Sequence, residues 1–311
     1  MNFQSMDYFT MVAQKRSFTK AAEALHITQQ TLSVHIATIE QEIGCQLFIR
    51  HIPLELTYAG EIFLQYALDF QKKYRVMLHE FGDISHNQKG KLRIGVAHTR
   101  GRAILPALIE NFQKSSPQIE IHAIEKTNDN LQKSLLDGDI DLAIANFDKK
   151  IPGIALRDFY EEEVVLLISK KLLEKLCDDV DNICNLIVSN EDISTLAQCP
   201  FVLNSQQNIG GRIGRDIIAK ANFKPFIKAQ SENIETLLDL CARGVGACFC
   251  PENLIRTTLS EEQITTLQVF RFKNSGTRYM IRFGWSEEAY QWTIIESFMH
   301  KALENMNQPE N

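Results

Sequence analysis

Hydrophobic positions in the first 45 residues recur with the three- and four-residue spacing of α-helices. In the first segment these positions are Phe3, Met6, Phe9, Val12 and Ala13. In a later segment Leu32, Ile36 and Ile39 form one apolar stripe. Thr19 is a candidate N-cap for the alanine-rich helix between them, Thr28 is one for the third helix, and Gly44 is a candidate C-cap residue. The pattern therefore predicts three short helices.

Small polar side chains occupy the third predicted helix outside its apolar stripe. Two short helices joined by a tight turn, the second with outward polar residues, are typical of a helix-turn-helix that reads double-stranded DNA. Side chains of this size reach base edges in the major groove. The candidate DNA contacts on this helix are Thr28, Gln29, Gln30, Thr31, Ser33, Val34 and His35. Thr19, Lys20 and Arg50 are further candidates, with Lys20 and Arg50 contacting phosphates. The alternative is a solvated polar face.

Two short β-like runs, 47–50 and 54–57, flank Pro53 and predict a small wing hairpin. A longer helix is predicted from Ala59 to about Ile84. Large apolar residues follow one side of it at Phe63, Tyr66, Phe70, Tyr74 (or Lys73), Met77 and Phe81. This seam favours pairing with a partner helix. Packing on the helix's own domain is the alternative.

After residue 90 strands and helices alternate. The predicted strands are 92–96, 119–124, 142–145, 164–168, 201–203, 226–229, 247–250, 269–272 and 280–285. The predicted helices are 103–113, 131–136, 213–221, 234–242 and 288–305. Repeated strand–helix units imply parallel sheets covered by helices. The length of this region suits two α/β lobes with a cleft between them.

Polar residues follow several of these strands, where ligands gather in such sheets. The candidate effector contacts are His98, Thr99, Arg100, Gly101, Asn128, Asn146, Asn204, Ser205 and Asn233. Thr99 supplies a hydroxyl, Gly101 permits close backbone approach, and Arg100 or Arg102 can pair a carboxylate. The sequence therefore predicts a small organic or inorganic anion as ligand. In the alternative these residues are turn or capping residues, and the arginines point to solvent or pair with acids such as Glu125.

Composition narrows the class of protein. The 311 residues are 44% hydrophobic and 23% charged, and no apolar run approaches the roughly 20 residues of a membrane span. Seven cysteines and no visible secretion signal favour a cytoplasmic protein with no membrane association. The net charge is −6, and the first 60 residues carry four basic against five acidic side chains. We therefore expect weak DNA binding by a monomer and reliance on multivalent assembly.

Signatures of catalysis are missing from the sequence. There is no G-x-S-x-G, phosphate-binding loop, G-x-G-x-x-G or H-E-x-x-H, so we do not expect an enzyme. Cys177 and Cys184 lie beside acids without a histidine to complete a metal site, and Cys248 and Cys250 alternate on a predicted strand as buried thiols. No metal and no cofactor are predicted.

Residues 17–50 (SFTKAAEALHITQQTLSVHIATIEQEIGCQLFIR) and the following LTYAG resemble the N-terminal signature of LysR-type transcriptional regulators. LLDGDIDLAI at 135–144 and ARGVGA at 242–247 also resemble that family, in its order and spacing. The resemblance departs from the family at Val34, where arginine is common, and in a wing that is less basic than usual.

The resemblance implies an α/β protein with an N-terminal winged helix-turn-helix (1–60), a dimerising linker helix (61–89) and a two-lobed effector domain similar to periplasmic binding proteins (90–311). Lobe one would span 90–165 and 268–311, and lobe two 166–267. It also implies a homodimer or homotetramer, transcription controlled by a small effector, and RNA polymerase as a candidate partner. A redox-sensing regulator of the same fold and, from another class, a solute-binding protein are the alternatives.

Overall fold

The computed structural model describes residues 2–51, 53–85, 89–206, 208–273, 276–288, 290 and 292–306, except the side chain of Thr99. The chain divides into two units, Met1–Gly90 with Glu288–Thr293, and Lys91–Glu287 with Ile294–Asn311.

The N-terminal unit is helical with one small hairpin. Its elements are α1 (Phe3–Lys15), α2 (Phe18–Ala24), α3 (Gln29–Ile43), β1 (Phe48–Ile49), β2 (Glu55–Leu56) and α4 (Tyr58–Ile84). The two strands pair antiparallel, which confirms the predicted wing. The three short helices and the long helix are also confirmed.

Capping residues set the ends of these helices. The Thr28 hydroxyl accepts a hydrogen bond from the Thr31 amide at 3.1 Å, and Gly44 ends α3 with φ of 80°, both as predicted. The prediction that Thr19 caps α2 is wrong. Ser17 is the capping residue because its backbone is extended and its hydroxyl accepts from the Lys20 amide at 3.4 Å.

The core of this unit contains the predicted apolar stripe. Leu32, Ile36 and Ile39 are buried among residues of α1, the hairpin and α4. Phe63 also lies in this core, with its ring centroid 4.6 Å from that of Phe9. Its assignment to a partner-helix seam was therefore wrong, because the start of α4 packs on its own unit. Further along α4, Tyr66, Phe70, Met77 and Phe81 are exposed.

The C-terminal unit is a mixed α/β structure. Its strands are β3 (Gly90–Ala97), β4 (Ile119–Lys126), β5 (Leu142–Ala145), β6 (Ile154–Ser169), β7 (Pro200–Leu203), β8 (Phe226–Gln230), β9 (Cys248–Pro251), β10 (Leu267–Phe270) and β11 (Arg278–Ser286). Its helices are α5 (His98–Ser115), α6 (Asn128–Leu136), α7 (Lys170–Leu176), α8 (Val180–Asn190), α9 (Ile209–Lys220), α10 (Ile234–Ala242), α11 (Asn253–Thr258), α12 (Glu261–Thr265) and α13 (Thr293–Met306).

The long strand β6 runs through both lobes of this unit. Its first part, 154–163, pairs with β11, and the sheet continues through β5 and β3 to β4. Its second part pairs with β9 over 164–167 and with β10 over 166–169. Val164, Leu166 and Ile168 enter one apolar core, whereas Val165 and Leu167 enter another on the opposite face. The lobes therefore meet where β6 changes partners.

The prediction of parallel sheets is only partly right. β3 and β5 are parallel, as are β7 and β8, but β6 pairs antiparallel with β9, β10 and β11. The prediction started β6 ten residues late, because the acidic run 161–163 interrupts its apolar alternation. Helices α7, α8, α11 and α12 were missed.

Helix boundaries near two strand ends also differ from the prediction. Helix α5 begins at His98 rather than at 103, so Gly101 lies within it. A Cβ at Gly101 would meet the Glu125 carboxylate, the half-exposed end of a flexible side chain that would have to move aside. Helix α13 begins at Thr293 rather than at 288.

The different positions of Phe63 and Tyr58 on α4 generate a stability prediction. Phe63→Ala should lower the free energy of unfolding of the N-terminal unit by about 3–5 kcal/mol, because it opens a cavity in the core. Tyr58→Ala, at a position 79% exposed on the same helix, should change it by less than about 0.5 kcal/mol. Urea unfolding followed by circular dichroism measures both. Equal losses would contradict the core position of Phe63.

Candidate DNA-binding helix and effector cleft

Helix α3 presents a polar face beside its buried stripe. Gln29, Gln30 and Thr31 are exposed on its first turn, and Val34 is 61% exposed one turn later. Thr19 and Lys20 on α2 are also exposed. A helix with this surface can lie in a major groove with its first turns toward the bases.

The remaining candidates on α3 are more buried, or already hold more contacts within the protein, than the sequence suggested. Ser33 and His35 are half-buried, and the His35 ring lies 4.9 Å edge-on from the ring of Tyr8. The Thr28 hydroxyl combines its capping bond with a 2.8 Å contact to the Thr31 hydroxyl. The exposed set at the start of the helix is thus the part best placed to reach a ligand.

Arg50 is held at the base of the wing by Glu40. Its guanidinium Nη2 lies 2.9 Å from Glu40 Oε2, while Glu40 Oε1 accepts from the backbone amides of Leu47 and Phe48. The Arg50 side chain remains 54% exposed. A phosphate contact by Arg50 therefore has to share this guanidinium with a carboxylate that organises the wing.

In the C-terminal unit, a cavity of about 100 Å³ lies at the ends of β3, β4 and β7. Its walls include Ala97, Thr127, Asn128, Asn204 and Ser205, contributed by both lobes. A larger cavity of about 520 Å³ shares Thr127, Asn128 and Ile209 with the first. Three of the predicted positions after strands, Asn128, Asn204 and Ser205, are thus brought together in one cleft, whereas Asn233 lines neither cavity.

Two amide atoms in this cleft are buried without a hydrogen-bond partner among the described residues. They are Asn128 Oδ1 and Asn204 Nδ2. Asn204 is 2% exposed, and its Oδ1 accepts from the Ser205 amide at 2.7 Å, so its NH₂ group is the end left without a partner. A buried polar group without a partner costs about 1–3 kcal/mol, which a bound ligand would recover.

Arg100 does not bind a ligand in the way the sequence suggested. Its side chain is 2% exposed, and it donates to Glu162 from Nε at 2.9 Å and from Nη2 at 2.7 Å. Nη2 also donates to Tyr279 Oη at 3.1 Å. The prediction that Arg100 pairs an anionic effector is wrong, because the buried Glu162 carboxylate already accepts two hydrogen bonds from this guanidinium.

Glu162 is the acceptor at the centre of this buried group. Besides Arg100, it accepts from Tyr160 at 2.8 Å, Tyr279 at 2.5 Å and Asn253 at 3.2 Å. Burial alone would raise the pKa of Glu162, but the Arg100 charge and the hydrogen bonds hold that pKa below its ordinary value. Burial also raises the pKa of Tyr279. The group therefore stays a charged pair with neutral tyrosines near neutral pH.

Other predicted effector residues have local structural partners. His98 Nδ1 lies 3.5 Å from Glu125, and Arg102 pairs with Glu235 at 2.9 Å. Asn146 Nδ2 donates to the Met280 carbonyl at 3.0 Å, although the residue still lines the larger cavity. Asn233 caps α10 by accepting from the amides of Glu235 and Thr236, the capping role that was its alternative. The side chain of Thr99 lies outside the described part of the chain.

The structure adds cleft residues that the sequence reasoning missed. The polar ones are Lys126, Thr127, Asp129, Asn130, Gln132, Asp148, Gln206, Asn208, Arg212 and Glu232. Lys126 ends β4 and Asn208 caps α9, so the strand-end and capping signals could have found both. Arg212 lies one turn inside α9, where a sequence pattern does not separate cleft from solvent.

Cys177, Cys184 and Cys199 do not show the activation that redox chemistry needs. Burial and the neighbouring acids Asp178 and Asp181 raise the pKa of Cys177 and Cys184, and burial raises the pKa of Cys199 to about 12. The thiolate is the reactive form, so these pKa shifts disfavour a peroxide sensor. In the described ranges no cluster of three or more His, Cys, Asp or Glu side chains could hold a metal. No helix there is long and apolar enough to span a membrane.

A winged helix-turn-helix unit joined to a two-lobed α/β unit with a polar cleft defines a ligand-responsive transcription regulator. The model of the bacterial regulatory helix-turn-helix protein, lysR family, matches residues 3–61, and the LysR substrate binding domain matches residues 85–306. The chain belongs to the LysR family of transcriptional regulators.

Known proteins resemble this chain over nearly its whole length. The HTH-type transcriptional regulator YcgK of Bacillus subtilis is 27% identical over 99% of this chain and 96% of its own. Full-length CbnR complexed with its target DNA aligns with a TM-score of 0.64 at 21% identity, covering 98% of this chain and all of its own. Full-length OxyR from Pseudomonas aeruginosa aligns with a TM-score of 0.68 at 20% identity, covering 97% and 94%. The two structures share the fold.

The buried pair generates a second stability prediction. Glu162→Gln should lower the free energy of unfolding of the C-terminal unit by about 3–5 kcal/mol, because Arg100 would stay buried without its counter-charge. Glu161→Gln is the matched control, since Glu161 and its partner Arg278 are both more than half exposed and such a pair contributes about 0–1 kcal/mol. Denaturant unfolding of the full chain measures both variants.

The contribution of Glu162 to the free energy of unfolding should decrease as the pH falls. The lowered pKa of Glu162 stabilises the fold fully above the ordinary value of 4.5, and this contribution is lost as the pH falls below it. The difference between wild type and Glu162→Gln should therefore narrow in acid. A difference that widened with falling pH would contradict the assigned ion pair.

Proposed function

We propose that this regulator recognises a specific duplex DNA site through the start of α3. The exposed Gln29, Gln30 and Thr31 carry this proposal, because they sit on the first turn of a helix whose other face is fixed in the core. Their amides and hydroxyls match the donors and acceptors of base edges. Lys20 on the preceding helix supplies a phosphate contact.

We propose that two chains pair through α4, so that two recognition helices engage one site. The exposed apolar residues Tyr66, Phe70, Met77 and Phe81 support this pairing, because an exposed apolar stripe of this length is typical of an interface. Pairing also compensates for the low basic charge of each N-terminal unit, since two weak contacts combine into one tight one. A homotetramer would extend the same principle, and RNA polymerase is the partner through which bound DNA would be read.

We propose that a small effector with an anionic group binds in the cleft and controls this activity. Helices α5 and α6, which are 18 and 9 residues long, both begin at the smaller cavity. Ala97 has no polar side chain to cap α5, and Thr127 makes no side-chain capping bond in the described structure. Their free backbone N–H groups favour an anion, and the unpartnered Asn204 NH₂ group supports the same assignment.

Footprinting tests the function as a whole. Purified protein is incubated with DNA adjacent to its own gene, with and without a panel of small acids. We expect a protected segment whose extent or affinity changes with one of the acids. Protection that never depends on sequence would contradict the proposed regulator.

Loss of the α3 contacts should reduce specificity. Gln29→Ala should weaken binding to the specific site by about 1–3 kcal/mol if a base contact is lost. Lys20→Ala should instead weaken binding to all DNA and reduce the salt slope by about one. Gln41→Ala, an exposed glutamine at the other end of α3, is the control and should change neither. Fluorescence anisotropy at several salt concentrations measures these effects. Unchanged specific binding in Gln29→Ala would argue against this recognition surface.

Charge placed in the α4 stripe should separate the paired chains. Phe70→Asp combined with Phe81→Asp should remove about 1.5–3 kcal/mol of apolar burial per side chain. The expected result in analytical ultracentrifugation is a shift to monomers with loss of DNA binding. Gln65→Asp adds the same charge on roughly the opposite side of α4 and should leave the dimer intact. If the double variant remained dimeric, the dimer interface would have to lie outside this stripe of α4.

A further inference from the structure

The two cavities of the cleft differ in chemistry, and together they restrict the effector. The smaller one, about 100 Å³, offers hydrogen-bond donors in the Asn204 NH₂ group and the free N–H groups at the starts of α5 and α6. Lys126 and Glu232 add one charge of each sign to its walls. A group of a few heavy atoms that only accepts, such as a carboxylate or a phosphate, fits this space and these donors. Asn204 is fully enclosed, so its donor gains the most from such a ligand.

The wall between the cavities needs a hydrogen-bond donor on the ligand rather than an acceptor. Asn128 Oδ1 is a buried acceptor without a described partner, and Asn128 lines both cavities. A simple carboxylate is ionised near neutral pH and has no hydrogen to give to this oxygen. The ligand therefore carries a donor next to its anionic group.

The larger cavity indicates which donor this is. Its walls are mainly amides and charged groups. The amides are Asn128, Asn130, Gln132, Asn146 and Gln206, and the charged groups are Asp129, Asp148 and Arg212. Five amides that both donate and accept match several hydroxyl groups, which also do both. An ammonium group only donates, so it could pair with Asp129 or Asp148 but would leave the amide NH₂ groups without an acceptor. Phe147 and Ile151 in this wall are themselves almost completely buried, so they offer little apolar surface to an aromatic or aliphatic body.

We propose that the effector is a small polyhydroxylated acid. Its anionic head occupies the smaller cavity against Asn204, the adjoining hydroxyl donates to Asn128 Oδ1, and a hydroxyl-bearing chain extends into the larger cavity. The volume of about 520 Å³ accommodates a chain of several hydroxylated carbons. This inference rests on the proposed cleft site and adds the chemical class of its ligand.

Calorimetric titration of the full-length protein tests the class with five probes. Gluconate and ribose 5-phosphate combine an acid with hydroxyls and distinguish a carboxylate from a phosphate head. Hexanoate keeps the acid without hydroxyls, glucitol keeps the hydroxyls without the acid, and alanine replaces the hydroxyl by an ammonium group. At least one of the first two should bind about 10- to 100-fold more tightly than the last three. Hexanoate has no hydrogen to donate to Asn128 Oδ1, and glucitol has no anionic head for the helix starts and Asn204. Alanine can pair both buried atoms but places no hydroxyl-bearing chain in the larger cavity.

Two variants connect this selectivity to the assigned atoms. Asn128→Ala should abolish most of the preference for gluconate or ribose 5-phosphate over hexanoate. Asn204→Asp replaces the donor by an acceptor and should weaken every acid about 100-fold, with Asn204→Ala as a second variant if the first fails to fold. Asn182→Ala, at an exposed asparagine outside both cavities, should leave all affinities unchanged.

The outcomes separate this inference from the function it rests on. Tighter binding of hexanoate, glucitol or alanine, or no binding of either hydroxylated acid, would overturn the ligand class. DNA footprints on the same protein samples report the regulator function independently, since a different small molecule that shifts them would leave that function intact. Selective binding that survives both Asn128→Ala and Asn204→Asp would also overturn the proposal.

Discussion

The buried ion pair between Arg100 and Glu162 fastens the C-terminal unit at the point where its lobes meet. It joins the first turn of α5 to β6, and the partners Tyr279 and Asn253 bring in β11 and α11. Removing two charges from water costs several kcal/mol for each ion, so such a pair persists only when its hydrogen bonds are satisfied. Here the carboxylate is saturated by donors. Any change in lobe orientation has to be accommodated around this pair, because breaking it would leave buried charge.

This arrangement changes how the cleft can recognise an acid. With Arg100 already paired, the donors at the smaller cavity are the backbone N–H groups at two helix starts, the Asn204 amide and Lys126, whose charge is opposed by Glu232. The neutral donors among these bind an anion at fixed geometry and are less sensitive to screening by salt than exposed charges are. In the proposed site, selection would therefore depend on the hydrogen-bond pattern more than on net charge, and the two amide atoms without a partner among the described residues define that pattern.

The N-terminal unit also has few charged groups that are free to bind a ligand. Glu40 uses one carboxylate to hold the wing backbone and the Arg50 guanidinium, so one of its few basic groups serves the fold. Affinity for DNA grows with the number of phosphates neutralised, and a unit with little basic excess gains less of it alone. The proposed pairing of two chains through the exposed stripe of α4 would compensate for the low basic charge, because it doubles the number of DNA contacts without adding charge to either chain.

The sequence alone determined the features that depend on local periodicity and capping. The stripe Leu32, Ile36 and Ile39, the cap at Thr28 and the cleft position of Asn128 and Asn204 follow from helical spacing and from where strands end. Tertiary structure decided which side chains found partners. Arg100 meets a glutamate 62 residues away, and Phe63 turns into the core while Phe70 stays outside. Burial and charge pairing arise between distant segments, and no local pattern carries that information.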